Sequence, residues 1–195
     1  MTTTNYQMTE KEVKSTSLFS GISVCFEWYD FFLYAVFASI ITKQFTSGLN
    51  DSWAFIFALV TFSIGFVFRP VGGLIFGYLG DKFGRKTSLL VNILLMSVPT
   101  FMVSILPTYE SIGLISPIML LFLRVLQGIA LGGGWAGVSV YIAEITPHQK
   151  RSKYISYLGA SSAIGLFMAF SANFYLKEYL GETEFNDWGW RLPFL

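Results

Sequence analysis

An all-α integral membrane bundle, with five complete spans and the first turn of a sixth, is the fold class this sequence predicts. Three observations carry the prediction. The chain of 195 residues is 53% hydrophobic and only 13% charged, with a mean hydropathy of +0.57, against about 25% charge in ordinary soluble domains. Five apolar runs each reach the roughly 20 residues that a bilayer-crossing helix needs. Short polar stretches rich in turn residues separate them, and their Lys and Arg alternate in density from one side to the other.

The elements follow in order. Residues 1–17 form a polar, cytoplasmic N-terminal tail, and residues 18–195 form the transmembrane bundle. The first span covers Leu18–Ile41; it is too long for a signal-peptide core and lacks a small-residue cleavage site. Spans over Trp53–Leu79, Ser88–Leu106, Leu114–Ala143 and Tyr154–Leu176 follow, separated by "TKQFTSGLND", "GDKFGRKT", "PTYESIG" and "EITPHQKRSK". The final Arg191-Leu-Pro-Phe-Leu195 has the character of a sixth span's first turn. Lys11, Lys14, Lys82, Arg85, Lys86, Lys150, Arg151 and Lys153 fall on one side, against Lys43, Lys177 and Arg191 on the other. The richer side is cytoplasmic by the positive-inside bias, which puts the N-terminus inside.

Composition also excludes functions. The net charge of +1 and the absence of a basic stripe leave no nucleic-acid partner. One cysteine, Cys25, within an apolar run provides neither a disulfide framework nor a zinc set. No nucleophile-base pair or phosphate loop points to an enzyme, and no cofactor or metal is expected. Gly132-Gly133-Gly134-Trp135-Ala136-Gly137 matches the G-x-G-x-x-G string of dinucleotide turns. That turn needs a strand before it, whereas these glycines lie inside an apolar run. Gly128, Gly132 and Ala136 recur every four residues, as do Gly133 and Gly137, so the stretch predicts two adjacent small-residue ridges for close helix packing. Gly65, Arg69, Gly73 and Gly77 make a similar seam in the second span, where Pro70 predicts a kink.

Four ionisable residues lie at membrane depth: Glu27, Asp30, Arg69 and Arg124. Each costs about 2.5–3.5 kcal/mol or more facing lipid, so they are expected to face the bundle interior or water and to pair with one another. Ser23, Glu27, Asp30 and Tyr34 share one helix face by their spacing. Asp30 falls roughly 18 Å into a span of about 36 Å, near midplane. A structural ion pair that pins helices and a role in proton or solute handling are both compatible with this pattern.

These residues also carry a resemblance. "GYLGDKFGRK" (Gly77 to Lys86) is similar to the signature loop between helices two and three of the major facilitator superfamily. "CFEWYDFFLYAVF", "FRPVGGLIFG", "RVLQG…GG.W.G" and "WGWRLPF" resemble its metabolite:proton symporter branch, which includes proline/betaine, alpha-ketoglutarate, citrate and shikimate carriers. The resemblance covers residues from about 18 to 195 and implies the N-terminal half of a twelve-helix fold, in a bacterial inner (plasma) membrane. It implies a symporter that couples uptake of a small osmolyte or organic acid to protons. Glu27, Asp30, Tyr34, Arg69 and Arg124 then serve as solute- or proton-binding residues. Gly77, Asp81, Gly84, Arg85 and Lys86 form a conformational gating loop, with Glu144, Lys150 and Arg151 in a companion loop.

Two departures from that pattern stand out. Position 134 is Gly where the branch usually has Glu after two glycines, and the second half is absent. Three expectations follow: a carrier completed by a second half-transporter or a homo-oligomer, an inactive remnant, or a small membrane subunit that associates with another carrier. The expected partners are a small solute, protons and the bilayer.

Overall fold

The computed structural model describes residues 10–195, the side chain of Glu10 excepted. Seven helices occur among the described residues: α1 (Glu10–Phe45), α2 (Asp51–Val67), α3 (Arg69–Phe83), α4 (Arg85–Ile105), α5 (Tyr109–Ile112), α6 (Ile115–Ile145) and α7 (Arg151–Asp187). Short 3-10 turns cover His148–Lys150 and Gly189–Phe194. Five helical segments are long and apolar enough to cross a membrane: Lys11–Phe45, Asp51–Phe83, Arg85–Ile105, Ile115–Ile145 and His148–Asp187. The helices run past the apolar spans because helical hydrogen bonding continues where hydropathy falls. At about 1.5 Å per residue, the 36 residues of α1 extend over roughly 54 Å, well beyond a hydrocarbon core of about 30 Å.

Local chemistry sets the breaks. Asn50 caps α2 by accepting the Trp53 backbone N–H at 3.0 Å. The second span divides at Phe68, immediately before Arg69-Pro70, because Pro70 has no N–H for the helical ladder. Gly84 separates α3 from α4 at φ 91, a conformation only glycine adopts without strain. Gly181, at φ 76, interrupts α7 in the same way. Gly189–Phe194 form a 3-10 turn. That turn is anchored: Trp190 is fully buried, and Arg191 donates to the Ser104 carbonyl at 2.9 Å.

In lipid, apolar side chains gain little by leaving one apolar medium for another, so close backbone approach and polar contacts hold helices together. Glycines supply that approach. A Cβ on Gly72 of α3 would strike the Ile129 carbonyl of α6, and one on Gly132 of α6 would strike the Arg69 carbonyl. Gly128 lies against the backbone of Ile64 and Gly65. The α6 ridge and the second-span seam are therefore partners. Gly77 and Gly137 meet nothing within 4 Å, so the tight contact ends before them. On the other side of α1, Gly165 of α7 abuts the backbone of Cys25 and Tyr29, and Gly21 abuts Ser161.

Around these seams, one aromatic core gathers Phe37, Phe45, Phe57, Phe185, Trp190 and Phe194 near the Phe45 end of α1. A second core joins Val13, Val24, Val138, Ile142, Tyr154 and Leu158 toward the other end. Large apolar residues such as Phe55, Leu59, Leu74, Leu94, Phe122 and Phe167 remain exposed on the outer faces, as a lipid-facing surface requires. The packing predicts a contrast within α7. Gly165→Ala forces α7 off the α1 backbone and costs about 1–3 kcal/mol in detergent unfolding. Gly159→Ala, with nothing within 4 Å, gains up to about 1 kcal/mol of helix propensity.

Candidate functional site at the crossing of α1, α4 and α6

The four membrane-depth charges are held by rings and neutral donors, and among the described residues no ion pair within 4.0 Å joins any two of them. The expectation of mutual pairing therefore does not hold at contact distance. Asp30 is held by a hydroxyl: Thr100 of α4 lies 3.0 Å from its Oδ2. Gln127 of α6 donates to the same hydroxyl at 2.8 Å, so three helices meet at one oxygen atom. Arg124 is 5% exposed, and its guanidinium lies 3.2 Å from the centroid of the Tyr34 ring. Tyr34 is buried beneath it. The contact places a desolvated cation on the negative face of a ring.

Arg69 follows the same principle at a more open position. Its guanidinium sits 4.4 Å from the Phe66 ring centroid, 5.0 Å from Phe31 and 6.0 Å from Trp28. The rings are themselves packed edge to face, with Phe31 and Phe66 centroids 5.3 Å apart. Nε and one terminal nitrogen of Arg69 have no hydrogen-bond partner among the described residues. Rings attract the cation without occupying its donors, which leaves the donors for an acceptor from elsewhere.

Glu27 is 5% exposed. Its carboxylate accepts from the Trp135 backbone N–H and lies where a side chain on Gly134 would project. A Cβ at position 134 would overlap both carboxylate oxygens. The glycine that departs from the family pattern is therefore occupied space: it seats the α1 acid against α6. Gly133, next to it, receives the Phe76 ring of α3 in the same manner.

A groove of about 610 Å³ runs between α1 and α4 from Thr16 and Lys86 to Asp30. Ser20, Ser23, Glu27, Asp30, Asn92 and Ser97 give it a polar lining, which fits the shared face of Ser23, Glu27 and Asp30. Asn92 is 4% exposed, and its Oδ1 lacks a partner among the described residues. The terminal turn covers the other end of the same α1/α4 seam, where Tyr29 donates to the Pro193 carbonyl at 3.1 Å.

The loop residues form a separate cluster at the Gly84 end. Arg85 bridges Asp81 and Glu144, each at 3.1 Å, and so ties the α3/α4 turn to α6. Its guanidinium also packs against Gly80, where a Cβ would lie 2.9 Å from it. Ser88 donates to the Phe76 carbonyl at 2.9 Å and closes the turn. Gly77 lines a small cavity beside this cluster, Gly84 makes the turn, and Lys86 lies at the groove rim. Thr100, Gln127, Asn92 and Trp135 were not among the residues singled out in the sequence. Thr, Asn and Gln in apolar runs are the signal that could have marked three of them; the Trp135 contribution is a backbone amide and carries no residue signal.

The seating of Glu27 is open to test. Gly134→Ala is expected to lower unfolding stability by about 1–3 kcal/mol through displacement of the carboxylate. The same substitution in a Glu27→Ala background should lose most of that penalty, a coupling that a double-mutant cycle in detergent measures.

Comparison with known proteins supplies the family. Residues 17–195 match the family model described as "Sugar (and other) transporter". The chain is 40% identical over 168 residues to the proline/betaine transporter of Escherichia coli K12, covering 86% of this chain and 34% of that protein. It is 36% identical over 178 residues to the E. coli shikimate transporter, covering 91% of this chain and 40% of that protein. The chain thus spans between about a third and two fifths of the length of these relatives. Among solved structures it superposes on the E. coli xylose transporter XylE in an inward open conformation with a TM-score of 0.83, at 19% identity and over 93% of this chain and 44% of that one. A second XylE structure, of a proton:xylose symporter bound to a bromodeoxyglucose, gives 0.84 over 96% of this chain and 42% of that one. At that identity the likeness concerns the fold alone, and it covers the N-terminal half. The chain is a multi-pass membrane protein that belongs to the sugar (and other) transporter family of the major facilitator superfamily.

Proposed function

We propose that this chain provides the N-terminal half of a proton-coupled symporter for a small osmolyte or organic acid, of the kind that proline, betaine or a dicarboxylate represents. The observation that carries the proposal is the set of unpaired charges at the crossing of α1, α4 and α6. Asp30, held by a neutral hydroxyl rather than by an arginine in contact, is suited to take up and release a proton. Arg69, with two guanidinium nitrogens that lack partners among the described residues, is suited to receive a solute carboxylate. Tyr34 holds Arg124 in place, and Glu27 places a second acid one helical turn from Asp30. The relatives named proline/betaine and shikimate transporter support a carboxylate-bearing solute.

In this reading Asp81, Arg85 and Glu144, with Gly77, Gly84 and Lys86, form the gate at the cytoplasmic end, in a bacterial inner membrane with the N-terminus inside. Breaking the Arg85 bridges frees the α3/α4 turn from α6. The solute site of such carriers lies between two repeats at the membrane midplane, and this chain supplies one wall of it; in the proposal a second half-transporter or a second copy supplies the facing wall.

Proteoliposomes test this directly. With an inward proton gradient, vesicles that contain the chain and a separately expressed C-terminal half should accumulate labelled proline, betaine or a dicarboxylate. Asp30→Asn or Arg124→Ala should reduce accumulation at least tenfold. Collapse of the gradient should abolish it. Equal uptake with and without the chain, for every solute and with the second half present, would contradict the proposal and favour an inactive remnant.

A further inference from the structure

The Thr100 hydroxyl is offered more bonds than its hydrogen can make. Its oxygen lies 3.0 Å from Asp30 Oδ2 and 2.9 Å from the Met96 carbonyl, and Gln127 Nε2 donates to it at 2.8 Å. A hydroxyl has one hydrogen and two lone pairs. With one lone pair taken by Gln127, the hydrogen goes either to Asp30 or to Met96.

The choice is fixed by the state of Asp30. An ionised carboxylate only accepts, so Thr100 must give it the hydrogen, and the Met96 carbonyl loses that bond. A protonated Asp30 donates its own O–H into the second lone pair of Thr100, and the Thr100 hydrogen then turns to Met96. No bond to oxygen breaks on Thr100; one proton arrives at Asp30 from water, and one hydroxyl rotates.

The rotation ends at a weak place in α4. Pro99 lies inside that helix and has no N–H for the ladder. A Thr hydroxyl bonded back to the carbonyl four residues earlier bends a helix. We propose that Thr100 is a positioning residue that carries the protonation of Asp30 into the bend of α4, with Gln127 holding its oxygen in register. This rests on the reading of Asp30 as the proton carrier, and it adds the element that responds.

The charged and titratable groups around Asp30 are Glu27 and Tyr29 on α1, Arg124 on α6, Arg69 on α3 through Glu27, and Lys86 at the groove rim. Of the groups that touch Asp30, the Thr100 hydroxyl is the one that connects it to the α4 backbone.

The test uses the full chain in nanodiscs, without solute or gradient, and infrared difference spectra taken across a pH titration. The carboxylic C=O band that Asp30→Asn removes reports protonated Asp30. Thr100→Val is nearly isosteric and deletes a charge-assisted donor to the ionised form, so the half-protonation pH of that band should rise by about one unit. Thr100→Ser should match the native chain. Thr100→Cys, a weak donor, should fall between them, and it serves if the Val variant does not fold. A spin-label pair across Pro99, at exposed Leu94 and Ile105, should change its distance distribution with pH in the native and Ser forms and stay fixed in the Val form. An unshifted band in Thr100→Val, or a Ser variant that behaves as Val does, overturns the proposal. Because these readouts need no transport, a shifted band without uptake would remove the carrier reading and leave the hydroxyl switch standing.

Discussion

The glycine ridge of α6 is the constraint on which the rest of the bundle depends. Between Gly128 and Gly134 the glycines of that helix leave room toward α1, α2 and α3, and three kinds of group fill the space. The α2–α3 backbone comes in at Gly128 and Gly132, the Phe76 ring at Gly133, and the Glu27 carboxylate at Gly134. A helix with three consecutive glycines sacrifices about 1 kcal/mol of intrinsic propensity at each relative to alanine. The close contacts return that loss as dispersion and as polar contacts in a medium where the hydrophobic effect does not hold helices together. The kink at Pro70 belongs to the same arrangement, because it starts α3 at Arg69, whose carbonyl meets Gly132.

Around that ridge the bundle accommodates four charges at membrane depth without pairing them at contact distance. Arginines rest on rings: Arg124 on Tyr34, Arg69 on Phe66 and Phe31. Acids take neutral donors: Asp30 a hydroxyl, Glu27 a backbone amide. A contact ion pair between buried groups is costly to open, whereas ring and hydroxyl contacts leave charge and donors that a proton or a solute can address. At the Gly84 end the opposite choice is made, with Arg85 shared between Asp81 and Glu144.

Much of this was legible in the sequence because membrane constraints are strong and local. Span length, the break at Pro70, the charges at Glu27, Asp30, Arg69 and Arg124, and the small-residue ridge each follow from one stretch of chain. The pairing of Asp30 with Thr100 was not, since it joins residues 70 positions apart, and a lone Thr in an apolar helix more often bonds its own backbone. Gly134 shows the limit most clearly. In the sequence it marks a missing acid; in the fold it marks the place where the acid of a neighbouring helix lies. The α1–α7 contact at Gly165 was hidden for a related reason: a single glycine carries no period, and its partner is a backbone.

The close approach of α3 and α6 can be measured without altering a residue. Solid-state NMR on the chain in lipid bilayers, with glycine Cα and isoleucine carbonyl carbons labelled, reports through-space proximity between Gly72 and Ile129. The account predicts a cross-peak between these two carbons at mixing times that reveal neighbouring turns within one helix. Its absence, with the intrahelical cross-peaks present, would mean that side-chain volume separates the two helices and that the glycine ridge does not organise the bundle.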